Sequence, residues 1–128
     1  MATIFTKIIR GEIPGYRIAE DENYYAFLDI HPLAEGHTLV VPKKEVDYLF
    51  DLEERELAGL MVFAQKVAAH IRKAVPCKRI GVAVIGLDVP HAHIHLVPIS
   101  EGSDLDFSRP KLELTPEEFK AIQAKIQF

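Results

Sequence analysis

The chain has 128 residues, a single cysteine, no tryptophan and a formal net charge of −4. That length fits one domain able to bury roughly two-thirds of the surface its unfolded chain exposes, and the lone Cys77 excludes both an intramolecular disulfide framework and any multi-cysteine metal site. The basic pairs Lys43-Lys44 and Lys78-Arg79 make no stripe that could neutralise a phosphate backbone, so a nucleic-acid polymer is not an expected partner, whereas a small anion needs only local donors.

At the N-terminus, MATIFTKIIRGEIPG breaks its apolar positions with Thr6, Lys7 and Arg10 and lacks the apolar core of a signal peptide. No apolar run approaches the ~18 residues a membrane span requires. With one cysteine, a reducing compartment fits, and the cytoplasm is the expected location. Residues 4–9 read as a short helix or an apolar strand, ended by Ile13-Pro14-Gly15. Residues 16–19 and 24–29 read as strands about the turn Glu20-Asp21-Glu22-Asn23, and residues 37–41 as a third between Gly36 and Pro42. Asp51-Leu52-Glu53-Glu54 reads as a helix start, with Asp51 as N-cap and Glu54 at N3. A long helix should follow, with Leu57, Leu60, Met61, Ala64, Val67, Ala68 and Ile71 as its apolar stripe and Pro76 as its stop. Residues 80–85 read as a fourth strand, the histidine-rich stretch as a fifth, and Thr115-Pro116-Glu117-Glu118 as the start of a terminal helix with Pro at N1. The expected class is α+β: a five-stranded, mainly antiparallel sheet with one long helix and one or two short ones.

Half of the six histidines fall within VPHAHIHLVPIS, residues 89–100. On a strand, positions i, i+2 and i+4 share a face, so His91, His93 and His95 would line one surface and Ala92, Ile94 and Leu96 the core side. Crowded imidazoles oppose one another's protonation and stay neutral, the form that attacks phosphorus or ligates a metal. Metal ligation by such a facial set, with Glu101 as the nearby carboxylate, is one alternative. Phosphorus chemistry is the other, with one imidazole as nucleophile and the others donating hydrogen bonds. His37 joins the cluster if its strand neighbours the fifth, although its pattern fits an edge histidine equally well. His31 and His70 read as structural or exposed.

The stretch HAHIHLV, residues 91–97, resembles the His-x-His-x-His motif of the histidine triad nucleotide-binding and hydrolase family. IFTKIIRGEIP (4–14), AFLDIHP (26–32) and GHTLVVPK (36–43) resemble the family's other signatures, in the same order. The likeness covers most of residues 3–99, which would form the core of a single domain over residues 1–128. Residues 100–128 would be a tail, resembling the terminal helix of some bacterial members only loosely. The resemblance implies a homodimer whose sheets join into one of ten strands. It also implies binding of purine nucleoside monophosphates and cleavage of phosphoramidates, dinucleoside polyphosphates or related esters, with no cofactor or metal in the chemical step. By this likeness His93 is the nucleophile, His91 and His95 position phosphate oxygens and the leaving group, and His37 supports their hydrogen bonds. Asp29 matches the carboxylate that holds the ribose hydroxyls. Phe5, Ile8, Ile13, Phe27, Leu28 and Ile30 match the base pocket, and plain core packing would fit them equally well.

The loop before the triad, VAVIGLDVPH, departs from the family pattern. Leu87 stands where glutamine is expected and Asp88 where a hydroxyl residue would contact the α-phosphate, in a loop several residues shorter. A carboxylate there repels phosphate unless Asp88 is protonated or orients a histidine. Thr3, Thr6 and Glu45 stand where some bacterial members carry the Cys-x-x-Cys and histidine of a structural zinc site, so no such zinc is expected.

Overall fold

The computed structural model describes residues 2–128. Three α-helices, α1 (Ile4–Ile9), α2 (Glu54–Ala74) and α3 (Pro116–Ile126), accompany five strands, β1 (Arg17–Glu20), β2 (Tyr24–Leu28), β3 (Thr38–Pro42), β4 (Arg79–Ala83) and β5 (Ile94–Ile99). All strand pairs are antiparallel, in the order β1-β2-β3-β5-β4. Among the described residues no helix is long and apolar enough to cross a membrane.

Strand alternation gives the sheet two different faces. On one, Ala26, Leu28, Val40, Ile94 and Leu96 pack in a single cluster with Leu60, Phe63, Ala64, Val67 and Ile71 of α2 and Phe119, Ile122 and Ile126 of α3. On the other, register sets Phe27 opposite Leu39 and Leu39 opposite His95, a row across three strands, and Phe5 of α1 covers it with Tyr25 and Val41. The first face holds the larger core, and the second carries His95.

The turn at residues 20–23 forms as the sequence suggests, Asp21 Oδ1 accepting the Asn23 and Tyr24 amides at 2.8 Å each. Residues 4–9 resolve as helix because Thr3 Oγ1 caps the Thr6 amide at 3.1 Å. The helix ends earlier than Ile13-Pro14-Gly15: Gly11, at φ 78°, donates its amide to Ile8 O. The start of α2 also differs from expectation. Leu49–Asp51 is a separate 3₁₀ turn that buries Leu49 and Leu52, which delays the helix until Glu53 acts as N-cap, its amide donating to Glu56 Oε1 at 3.1 Å. The apolar stripe is rotated accordingly. Phe63 is buried, its ring 5.7 Å from that of Tyr24, while Met61 stays 47% exposed. α3 follows the sequence, Thr115 capping Glu118 with Pro116 at N1.

Candidate active site

Only His95 lies within β5; His91 and His93 lie in the chain that leads into it. The Ala92 amide donates to Val46 O at 2.7 Å, which keeps this lead-in against the fold. The imidazoles still gather on one side, His93 and His95 with centroids 4.9 Å apart and Phe5 standing edge-on to His93 at 5.0 Å. His37 belongs to the cluster because Gly36, at φ 93°, turns the chain immediately before β3, and β3 pairs with β5.

Backbone partners fix the tautomer of each ring. Leu33 N–H can only donate, so His37 Nδ1 accepts it at 2.9 Å and the ring proton sits on Nε2. His37 Nε2–H then donates to His95 Nδ1 at 3.0 Å, which leaves the His95 proton on Nε2. His93 Nδ1–H donates to the carbonyl of His91 at 2.7 Å, so the lone pair of His93 is on Nε2. His91 Nε2–H donates to Pro42 O and its Nδ1 accepts from the Thr3 hydroxyl, both at 2.7 Å. Both nitrogens of fully buried His91 are thus occupied by the protein. The expectation that His91 reaches phosphate oxygens meets a ring already bonded on both sides, and the contact of His91 with His93 is through its carbonyl.

Thr3, Thr6 and Glu45 form one network with His91. The Thr3 amide donates to Glu45 Oε1 at 2.8 Å, and the Thr3 and Thr6 hydroxyl oxygens lie 3.2 Å apart. The Thr6 hydroxyl and the Thr3 amide hold the Glu45 carboxyl below its usual range. Two hydroxyls replace the thiolates of such a zinc site and a carboxylate its histidine, so this donor set does not fit a structural zinc.

A second donor group, Asp29, His37 and His95, keeps one ligand atom of each within 4.8 Å of the others. A metal there would have to displace the proton shared by His37 and His95. The facial set of His91, His93 and His95 is not formed, since His91 is engaged elsewhere, and Glu101 caps a 3₁₀ turn at Gly102–Leu105. Asp29 is the carboxylate beside the histidines, its Oδ2 3.5 Å from His37 Nε2.

Beside these rings lies a cavity of about 380 Å³, lined by Phe5, Ile8, Ile13, Phe27, Leu28 and Ile30, with Asp29, His37, His95 and Asp88 as polar groups. Every apolar residue selected from the sequence borders it. His31 stands on its rim, so that exposed histidine belongs to the site's surroundings, whereas His70 stacks on Phe128 at 3.7 Å. Leu87, 87% exposed, turns away. His93 borders a neighbouring cavity of about 330 Å³ with Tyr48, Phe50, Val84 and Gly86. The rings of His93 and His95 therefore separate two spaces. Sequence reasoning missed Phe107 and Lys111, which line the larger cavity from the C-terminal tail; nothing periodic in DFSRPK marks a tertiary approach.

Burial keeps His37 and His95 neutral. It pushes His37 down to about 3 and His95 down to about 4, each helped by a neighbouring imidazole, His95 and His93 respectively. Burial also lowers His91 and raises the carboxyl of Asp29. Between about pH 6.5 and about pH 4 the unfolded histidines therefore bind protons that the folded ones refuse, and stability rises with pH across that window. His37 and His95 each contribute up to about 1.4 kcal/mol per pH unit, while Asp29, with a raised value, opposes them near the lower end of the window. Urea unfolding at about pH 7.5 and about pH 5 should show a large loss on acidification that His95→Asn reduces; equal losses in both proteins would contradict the assignment.

Comparisons with known proteins identify the family and the fold. The chain matches the HIT domain family over residues 10–102. It is similar to the adenosine 5′-monophosphoramidase of Schizosaccharomyces pombe, 33% identical with 98% of this chain and 96% of that protein covered. Among solved structures it is similar to a HIT-like protein of Bartonella henselae involved in cell-cycle regulation, with TM-score 0.83 and 35% identity over 98% of this chain and 94% of that one. It is also similar to a zinc-bound histidine triad protein of Mycobacterium smegmatis, with TM-score 0.81 and 31% identity over 98% and 94%.

Proposed function

Because the chain belongs to the histidine triad (HIT) family, we propose that it is a nucleotidyl hydrolase that cleaves phosphorus–nitrogen or phosphoanhydride bonds of purine nucleoside monophosphate derivatives through His93. The observation that carries this reading is the bond from His93 Nδ1–H to the His91 carbonyl, which leaves Nε2 as an uncommitted lone pair.

The nucleoside would occupy the apolar cavity, its ribose hydroxyls on Asp29 and the phosphorus beside His93 and His95. His93 Nε2 attacks phosphorus, and the bond to the leaving atom breaks with its electron pair. His95 Nε2–H, fixed by the relay Leu33, His37, His95, donates a hydrogen bond where that charge develops. Water then attacks phosphorus and the Nε2–P bond breaks, restoring His93. Over both steps water supplies the hydroxyl that stays on phosphorus and the proton that leaves with the amine. Splitting the transfer into two displacements at a neutral imidazole avoids direct attack by water. The test is release of AMP from adenosine 5′-phosphoramidate with EDTA present. Release supports the reading. Tight nucleotide binding without turnover would instead identify a binding module that keeps the pocket but has lost the chemistry, as Asp88 in the cavity wall permits.

We also propose a homodimer. The free edge of β1 is occupied by the tail, Gln123 Nε2 donating to Arg17 O at 2.9 Å and the Phe128 amide to Ile18 O at 3.0 Å. The edge of β4 is open, and Val82, Val84, Met61 and Val62 are exposed at or beside it. An open edge with apolar side chains favours pairing with a second copy. Sedimentation of the chain should give twice the 14.4 kDa monomer mass, and a monomer mass that persists at high concentration counts against the dimer.

A further inference from the structure

The segment after β5 closes one side of the larger cavity. Phe107 stands edge-on to His95 at 4.8 Å and to His37 at 6.1 Å, and the Leu112 amide ties the segment to Pro32 O at 2.8 Å. Residues 103–128 lie outside the stretch matched by the HIT domain, so this wall comes from the C-terminal tail. It brings in Lys111, whose Nζ donates to the carbonyls of Phe107 and Arg109, the latter at 3.0 Å. An ammonium has three donors, so one remains for a ligand.

Charge gives that donor its significance. Among the described residues that line the cavity, Lys111 is the sole lysine or arginine, facing two carboxylates, Asp29 and Asp88. Burial holds His37 and His95 neutral there. No side-chain carboxylate among the described residues lies within ion-pair distance of Lys111. A nucleotide carries its negative charge at phosphorus, and a site walled by two carboxylates needs a cation to receive it.

We propose that Lys111 is the group that recognises the substrate's anionic phosphate, and that the tail thereby selects nucleotides over neutral nucleosides. The proposal rests on the nucleotide reading above and adds the tail to the site. Lysine suits this task as a point charge on a mobile stem, and Lys111 lines the cavity while its ammonium is tied to the two carbonyls.

The experiment measures AMP and adenosine binding by calorimetry to wild type, Lys111→Gln and Lys111→Arg. Glutamine keeps a donor for the loop carbonyls without charge, and arginine keeps the charge. Lys111→Gln should weaken AMP binding about tenfold or more, with adenosine binding changed less than about twofold, and Lys111→Arg should retain most of the AMP affinity. The AMP affinity of wild type should also fall with salt more steeply than that of Lys111→Gln. Equal losses for AMP and adenosine would show that Lys111 only shapes the wall or Asp29, and no loss for either would show that phosphate is received elsewhere; both outcomes overturn the proposal. A wild type that binds neither ligand would overturn the nucleotide reading as well.

Discussion

His93→Ala should release AMP from adenosine 5′-phosphoramidate about a thousandfold more slowly than wild type, or slower still, in EDTA, with its fold and its AMP affinity largely kept. The size follows from the assigned role. Removing the nucleophile removes the covalent route, and what remains is direct attack by water in a site built around His93. Among the described residues the ring is hydrogen-bonded only to the His91 carbonyl and borders a cavity, so its loss leaves one acceptor to be hydrated and its edge contacts with Phe5 and His95 unmade, with no other hydrogen bond broken. His91→Ala should differ in kind. It deletes a ring bonded to Thr3 and Pro42, so it should lower stability together with turnover, as expected of a residue that positions the nucleophile from beneath. A His93→Ala protein within tenfold of wild type would remove His93 from the reaction.

The largest expected stability effect sits directly behind the same rings. Ile94 is fully buried between His93 and His95, pairs with Val40, and belongs to the cluster that joins the sheet to Leu60, Val67 and Ile71 of α2. Ile94→Ala removes its transfer free energy and leaves a cavity that helix and sheet close only in part, at a cost of about 2–5 kcal/mol. Against the ~5–15 kcal/mol typical of a domain this is a substantial fraction. Ile94→Val should cost only about 0.5–1.5 kcal/mol. Urea unfolding distinguishes them, and a loss below about 1 kcal/mol for the alanine variant would mean that the row behind the histidines is loosely packed. Turnover should fall as well, because Ile94 sets the pitch at which its neighbours present their rings.

Local signals proved readable where a short-range cause decides the structure. The Asp21 turn, the Thr115 and Pro116 helix start, the strand alternation around Ile94 and the five-stranded antiparallel sheet follow from backbone preference and apolar spacing. The start of α2 did not, because Leu49 and Leu52 spend an extra turn reaching the core, a tertiary demand that the capping pattern at Asp51 does not express. The placement of Phe63 over Met61 has the same origin, in the ring of Tyr24. In the site, the likeness to the histidine triad family located the cavity residues, yet the engagement of both His91 nitrogens depends on Thr3, 88 residues away in sequence. Phe107 and Lys111 reach the cavity along a segment with neither periodicity nor motif, and only the folded chain places them there.

The proposed reaction turns on a covalent bond between His93 Nε2 and the phosphorus of the substrate. Its most direct test is to mix the wild type with adenosine 5′-phosphoramidate in EDTA, quench in alkaline denaturant to preserve a phosphorus–nitrogen bond, and determine the mass of the intact chain and of its peptides. One adenylyl group on the peptide that contains His93, absent from His93→Ala, is the predicted result. Turnover without any adenylylated chain, or the label on another residue, would contradict it.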